Sequence, residues 1–436
     1  MGGLTVTLYT ALQTLENTQT EIQTSSNNIS NASTAGYATE TAVQTENPAV
    51  LTSSGWLGNG ATISQITQSR DQFLEQQLMN AKSSDSQYTS LSSELTSIQS
   101  ACSDSGDSGI SQALGNFFDA WNTLAQNPTG LSEQTGVYSA AQNLASALQA
   151  TYSQLNDIAT QMPGQINNVV NQANALINQI AQLNTSIANS GTPTSQPNNL
   201  IDARYQAMDS LAQLIPVSFS QDPATGMVTV TTTNANGPQT VVSGTTANTI
   251  TIPPAYTSGQ LGGLLTAQTD LIGPNGTTGY IGQLNTFAST MISTVNKIST
   301  DNGGTGVFNG ADASSIAAST DFMSKQTPAE LSASAQAMAD LQDNPVAFTD
   351  GTNATPEQYL SNIQQTVGDD VQQAKNNQSF YDSLQTQLQT QQQSVSGVSV
   401  DQEMVNVIQD QQVYEEAAKV VETVDTLMSA VISMVS

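Results

Sequence analysis

Apolar residues recur at helical spacing at both ends of this chain. Leu8, Leu12, Leu15, Ile22 and Ile29 fall three, four or seven apart, and Val413, Ala417, Val420, Val424, Leu427, Val431 and Met434 alternate steps of four and three. A parallel row runs through Tyr414, Ala418, Val421, Asp425, Met428, Ile432 and Val435. A period of 3.5 residues marks a coiled-coil seam, and a seam needs a second helix. The pattern predicts terminal helices within 1–35, ending near Ser25–Asn28, and over 400–436, with each other and neighbouring copies as partners. On pattern alone, a helix pair within one chain explains the stripes as well as assembly does.

Between the ends, most segments keep a helical period. Residues 30–60 are polar and turn-rich. A helix is expected from Arg70 to Cys102, then a break over Asp104–Gly109 and an aromatic helix over 110–126 with Phe117, Phe118 and Trp121. A long helical stretch covers 133–188, where Pro163-Gly164 is expected to kink or split it. A loop over Gly191–Asn199 precedes a short helix from Leu200 to Ile215. The period then changes to two: Val217–Phe219 and Met227–Thr231 predict a hairpin, and Val241–Val242 and Thr249–Ile252 predict further strands. Helices resume over 261–271 and 281–298, residues 301–355 are mixed, and a last bundle helix spans Pro356–Val395. The expected fold is mainly α. It is a long helical bundle (36–215 and 256–399) with paired terminal coiled-coil helices (1–35 and 400–436) and a small β-rich insert (216–255).

Composition narrows the chemistry. The chain has 436 residues and only 37% apolar content, which suits narrow helical cores better than one thick globule. Thirty-five acids face 7 bases, for a net charge of −28. No basic patch is available for nucleic acid or an anionic membrane. Cohesion must come from apolar seams and from amide and hydroxyl hydrogen bonds, with only a handful of ion pairs. Histidine is absent and Cys102 is the single cysteine, which removes His-dependent triads, HExxH zinc sites, thiolate metal clusters and internal disulfides. Cys102 continues the row Leu91, Leu95, Ile98 and reads as a small core residue. Asp202 with Arg204 reads as a bundle pair. No catalytic residue, metal or cofactor is expected. No basic segment opens the chain as in a cleaved signal, and no apolar run is long enough to span a membrane.

Two strings carry more than composition. Ser25-Ser-Asn-Asn-Ile-Ser-Asn-Ala-Ser-Thr-Ala-Gly-Tyr37 is a helix end rich in capping residues, in which Gly36 can adopt a positive φ. It resembles the S-N-N-I-S/A-N-x-x-T-x-G-Y/F signature of flagellar axial proteins, the rod, hook and hook-associated proteins, at Asn27, Asn28, Ile29, Asn31, Thr34, Gly36 and Tyr37. Ser394-Val-Ser-Gly-Val-Ser-Val-Asp-Gln-Glu403 places a capping pattern at Ser399 and Gln402, acids at a helix start, and a flexible Gly397 before it. This run, at Ser396, Gly397, Val398, Asp401 and Glu403, is similar to the S-G-V-N-L-D-E-E signature of the hook-associated protein 1 family. Gln411 or Gln412, with Tyr414, Ala417, Ala418 and Lys419, resembles the stretch that follows it there. Arg70–Leu74, Gly115–Pro128, Asn199–Arg204 and Gly259–Leu265 resemble further segments of that family.

Three features depart from the family pattern. Acidic Glu40 follows where a base is usual. Only about 45 residues, 305–355 at most, stand where relatives carry a large outer domain. Bases are scarce throughout.

The resemblance implies a secreted structural adaptor between flagellar hook and filament. It implies self-assembly in a ring or tubular lattice through terminal helices disordered before assembly. Hook protein and hook-associated protein 3 would be neighbours, with a cytoplasmic export chaperone on the C-terminal helix. Export would be flagellar type III, without a cleaved signal, to the outside of the cell. A hook or distal-rod protein is the nearest rival reading. A type III secreted adhesin or tip protein, with the β insert as its binding head, is a second.

Overall fold

The computed structural model describes residues 2–52, 55–103, 109–190, 197–251, 255–274, 278–325 and 327–435. Its helices are α1 (Gly2–Asn31), α2 (Gln72–Cys102), α3 (Ile110–Gln126), α4 (Leu131–Ser190), α5 (Asn198–Leu214), α6 (Gly259–Ile272), α7 (Tyr280–Asp301), α8 (Thr320–Lys325), α9 (Pro328–Leu341), α10 (Pro356–Ser396) and α11 (Val400–Val435). Strands β1 (Glu40–Glu46), β2 (Val50–Thr52), β3 (Gly55–Leu57) and β4 (Ala61–Gln68) precede α2. Strands β5 (Val217–Gln221), β6 (Val228–Asn234), β7 (Gly237–Ser243) and β8 (Thr246–Ala247) follow α5. Short pairs β9 (Phe308–Asn309) with β10 (Ala317–Ala318), and β11 (Val346–Ala347) with β12 (Asn353–Ala354), lie between α7 and α10. The fold is mainly α.

The chain divides into two compact units: Met1–Ser83, Asn171–Pro254 and Tyr381–Ser436 form the first, and Ser84–Val170 and Ala255–Phe380 the second. The first therefore holds both terminal helices and nearly all of the β insert, a division different from the one expected at 35 and 400.

In the second unit, the aromatic face of α3 is fully used. Ile110, Leu114, Phe117, Phe118, Trp121 and Leu124 are all buried. Phe117 meets Phe118 edge to face at 5.6 Å, and Trp121 meets Phe322 at 5.6 Å. Such pairs add about 0.5–1.5 kcal/mol beyond the area they bury. Residues 305–355 belong to this same core, since Phe308, Ile316, Leu331, Met338 and Phe348 are buried in it. Cys102 packs against it too, and burial pushes its thiol up to about 11.

Pro163 does not split α4, which runs as one helix of 60 residues. The helix boundaries otherwise fall within a few residues of expectation, except that α1 runs on to Asn31. Of the expected irregular segments, 104–108 and 191–196 lie outside the described residues. So does Ile252 of the strand expected at 249–252, and Thr249–Thr251 are not in a strand.

In the first unit, residues 40–68 form a feature the polarity of 30–60 concealed. β1 pairs antiparallel with β4 from Glu40↔Gln68 to Glu46↔Ala61, and β2 pairs with β3 through Val50↔Leu57 and Leu51↔Trp56. The ribbon lies along α1 and is fixed there by amides. Asn17 Nδ2 donates to the Ala61 carbonyl at 2.7 Å, Asn17 Oδ1 accepts from Ile63 N at 3.2 Å, and Asn47 Nδ2 donates to Gln13 Oε1 at 2.8 Å. β5 to β8 form a four-stranded antiparallel meander.

Asn184 of α4 anchors that meander. Its Nδ2 donates to the carbonyls of Val228 and Gly244 at 2.8 and 2.7 Å, and its Oδ1 accepts from Val228 N at 3.2 Å and Arg204 Nη1 at 2.9 Å. Arg204 is fully buried and also donates to the Gly226 carbonyl at 2.8 Å. Burial lowers its pKa to about 10. The expected Asp202–Arg204 pair is not made: Asp202 pairs with Arg70 instead, at 2.6 Å. The two residues are only two apart on α5, so their side chains leave the helix on different faces.

Candidate functional site at the paired terminal helices

α1 and α11 pack antiparallel in the first unit. Asn28, near the end of α1, meets Glu403, near the start of α11, and Glu21 lies close enough to Asp410 to help raise its pKa, after burial.

Asn28 is the point where the two terminal signatures join. It is 1% exposed and uses both ends of its amide. Nδ2 donates to Glu403 Oε1 at 3.0 Å and to the Glu40 carbonyl at 2.9 Å. Oδ1 accepts from Tyr37 Oη at 2.6 Å and from Glu40 N at 3.0 Å. No other side chain both donates twice and accepts twice at this length, except glutamine with one more methylene. Burial, then the charges of Glu40, Asp202 and Glu403, push the Tyr37 hydroxyl well above its ordinary range, so it stays a proton donor.

The turn that follows α1 is built by the rest of the motif. Thr34 N donates to the Asn31 carbonyl at 2.8 Å, and Asn31 Nδ2 donates back to the Asn27 carbonyl at 3.0 Å. Gly36 has φ of 80°, the left-handed conformation that glycine adopts without a steric penalty. Thr39 then reaches the second motif: its N and Oγ1 both donate to the Ser396 carbonyl, at 2.9 and 3.0 Å, and Oγ1 also lies 2.8 Å from the Gly397 carbonyl. Gly397 is required by close approach rather than by φ, because an added Cβ would overlap the carbonyl oxygen of Gln393. Asp401 and Glu403 lie in the first turn of α11, where acids favour the helix dipole.

Arg70 clamps the turn from behind. Nη2 donates to the Gly36 carbonyl at 2.6 Å and pairs with Asp202 at 2.6 Å, while Nη1 pairs with Glu75 at 3.0 Å. Its guanidinium lies 4.5 Å from the Tyr205 ring centre. Gln392 Nε2 donates to the other Glu75 oxygen at 2.8 Å, which ties α10 into the cluster. A groove of about 360 Å³ remains between the motifs, lined by Thr34, Tyr37, Arg70, Gln392 and Ser396 among others.

The predicted stripes are placed differently. The residues of α1 that are buried on the α11 side are small: Ala11, Thr18 and Ser25, seven apart, with Asn28 at the end. Across from them, Ala417 and Val424 are buried, and Val421, Met428 and Val431 are half-buried. Leu8, Leu15, Ile22 and Ile29 are only half-buried, and Leu12, Val413, Tyr414, Val420 and Leu427 are exposed. Close antiparallel packing selects small side chains for the contact line and leaves the larger ones beside it. Thr39, Glu40 and Glu75 were not singled out from sequence. Glu40 drew notice only as a departure, and nothing in the spacing of Thr39 or Glu75 marks them.

Among the described residues no group of acids or cysteines is placed to hold a metal ion, and no helix is long and apolar enough to cross a membrane.

Comparison with known proteins agrees with these motifs. The model of the flagellar hook-associated protein FlgK helical domain matches residues 95–314. Residues 389–434 match the C-terminal model of the flagellar basal body rod FlgEFG proteins, and 8–37 match the flagella basal body rod protein model. Flagellar hook-associated protein 1 of Salmonella typhimurium is 28% identical over 248 residues, 56% of this chain and 44% of that protein. The Bacillus subtilis protein of the same name is 24% identical over 227 residues, 50% of this chain and 45% of its own length. The matched segments thus span less than half the length of these relatives. The flagellar hook junction protein FlgK from Burkholderia pseudomallei shares the fold, with a TM-score of 0.62 at 16% identity over 74% of this chain and 100% of that one. With its helical domain matched across half its length and rod-type signatures at both ends, the chain belongs to the flagellar hook-associated FlgK family.

Proposed function

We propose that this chain is a non-enzymatic structural adaptor of the bacterial flagellum that joins hook to filament. The observation that carries the reading is the junction at Asn28. It holds the two terminal helices in register while leaving apolar side chains of both, among them Leu12, Val413, Val420 and Leu427, exposed. A packed pair with open apolar rows is suited to further helices from neighbouring copies. The reading includes helices that order on assembly, and export through the flagellar type III channel with a chaperone on α11. It places hook protein on one side and hook-associated protein 3 on the other. The rod-type matches at both ends favour a hook or distal-rod protein as the second reading, and the match over 95–314 favours the junction.

Deletion of residues 400–436 tests it. The truncated chain is expected to remain folded by circular dichroism but to leave a strain lacking the native gene without attached filaments. Restored filament attachment by the truncated chain would overturn the assignment of α11 to the assembly core.

A further inference from the structure

In a chain with 35 acids and 7 bases, residues 2–15, 47–69 and 426–435 carry no charge. The first unit brings them to one end. α11 runs antiparallel to α1, so its last turns lie beside the first turns of α1. The β1–β4 ribbon also runs back along α1. Glu40 lies at Asn28, Gln44 Nε2 donates to Glu21 Oε1 at 2.5 Å, Asn47 reaches Gln13, and Gly60 sits against Thr10. The base of the β2–β3 ribbon, at Asn47 and Gly60, therefore lies at Gln13 and Thr10, near the start of α1.

The tip of that ribbon is apolar on both faces. Val50 pairs with Leu57 and Leu51 with Trp56, and neighbouring pairs of a ribbon point to opposite sides. Val50 is 40% exposed, Leu51 65%, Trp56 74% and Leu57 44%. A ribbon apolar on one face lies on a surface, whereas one apolar on both faces is covered only by insertion.

We propose that the β2–β3 tip of one copy inserts against the uncharged end of the helix pair of a second copy, with Trp56 and Leu51 meeting the open row Val420, Leu427 and Met434. The charge distribution selects a second copy as the occupant. A net charge of −28 opposes approach of two copies least where charge is missing, and at this end missing charge coincides with the exposed side chains of Leu12, Leu51, Trp56, Leu57, Leu427 and Met434. The tip is not covered by its own helix pair. The proposal rests on the assembly reading above and adds a third element to the two terminal helices.

Cross-linking between two differently tagged chains tests it. One carries Trp56→Cys and the other Leu427→Cys, and a short bis-maleimide is added to the mixture at assembling concentration. Native Cys102, present in every chain, sets the background. The mixed dimer is expected at ten times or more the yield from Trp56→Cys with exposed Gln391→Cys. A second arm carries Leu51→Lys and Trp56→Lys together and is expected to raise the concentration needed for sedimenting assemblies at least tenfold. Equal yields in the two pairings, or unchanged assembly of the lysine variant, would overturn the proposal while leaving the terminal-helix reading intact. Failure of the unmodified chain to sediment as assemblies would overturn both. Binding of the unmodified chain to uncharged phosphatidylcholine vesicles, lost in the lysine variant and without mixed dimer, would assign the tip to lipid and overturn it as well.

Discussion

Asn28 Nδ2 lies 3.0 Å from Glu403 Oε1 across 375 residues of chain. Both side chains are buried, at 1% and 7% exposure, so the bond is shielded from water and from salt. Asn28→Ala leaves the Glu403 carboxylate, the Tyr37 hydroxyl and the Glu40 backbone without this partner. A buried group left unsatisfied costs about 1–3 kcal/mol, so a loss of about 3 kcal/mol or more is expected in urea unfolding of the assembled protein, where the helix pair is formed. A double-mutant cycle with Glu403→Gln is expected to show a coupling above about 1 kcal/mol. Additive effects would mean that the two signatures are neighbours without being linked.

Gly263 of α6 fits against α2 so closely that an added Cβ would overlap the Gln87 carbonyl oxygen and lie 2.5 Å from Ser90 Oγ. The obstruction is partly backbone, which cannot rotate away. Gly263→Ala is therefore expected to cost about 1–3 kcal/mol, as overpacking does. Gly115, inside α3, has nothing within 4 Å of the same added atom. Gly115→Ala is expected to stabilise by about 0.5–1 kcal/mol through helix propensity. Thermal melts of the two variants shifting in the same direction would contradict this reading.

Asn184 supplies four hydrogen bonds to the meander and to Arg204. Leucine has the same number of side-chain heavy atoms and the same branching, and makes none of these bonds. Asn184→Leu is expected to speed hydrogen exchange at the Val228 amide at least tenfold, with amides of the second unit unchanged. Protection retained at Val228 would show that the strands hold themselves.

Asp270 titrates near neutrality: burial first, and the neighbouring Asp370 second, raise its pKa to about 6. A carboxyl whose pKa is raised by folding binds its proton more tightly in the native state. Its stabilising contribution is complete below the unfolded value of about 3.9 and is lost as the pH rises through about 6. Asp270→Asn keeps the neutral shape at every pH. Its melting temperature is expected to change less than that of the unmodified chain between pH 4 and pH 7. Parallel profiles for the two proteins would remove Asp270 from the pH response.

Much of this architecture was legible in the chain, and the failures have a common cause. Helical spans were readable because apolar residues kept a period of 3.5 over many turns, as from Leu360 to Leu388 in α10. The signatures around Asn28 and Glu403 were readable as strings and their helices as partners, but the bond between these two residues was not, since nothing local records which side chains meet across hundreds of residues. The line along which α1 meets α11 within one chain was not legible because the pattern weighs size. Leu8, Leu12 and Ile22 dominate the sequence, while the contact line uses Ala11, Thr18 and Ser25. The β1–β4 ribbon escaped because Asn17, Gln13 and Asn47 fix its position with amides, leaving little apolar alternation to read. Arg70 was noted as the opening of a helix, yet its role as a clamp on Gly36 depends on Asp202 and Glu75 converging from two helices.

The bond between Asn28 and Glu403 also sets an order in time. During synthesis, Asn28 and Tyr37 leave the ribosome long before Glu403 exists, and they wait for their partner while all the residues between are made. Closing so long a loop carries an entropic cost that only the finished helix pair can repay. The first motif thus cannot complete itself on an unfinished chain. A product cut short between the end of α10 and Glu403 would keep its aromatic core and its meander, yet would present an open end at Asn28, which makes this one contact a structural record of whether translation reached α11.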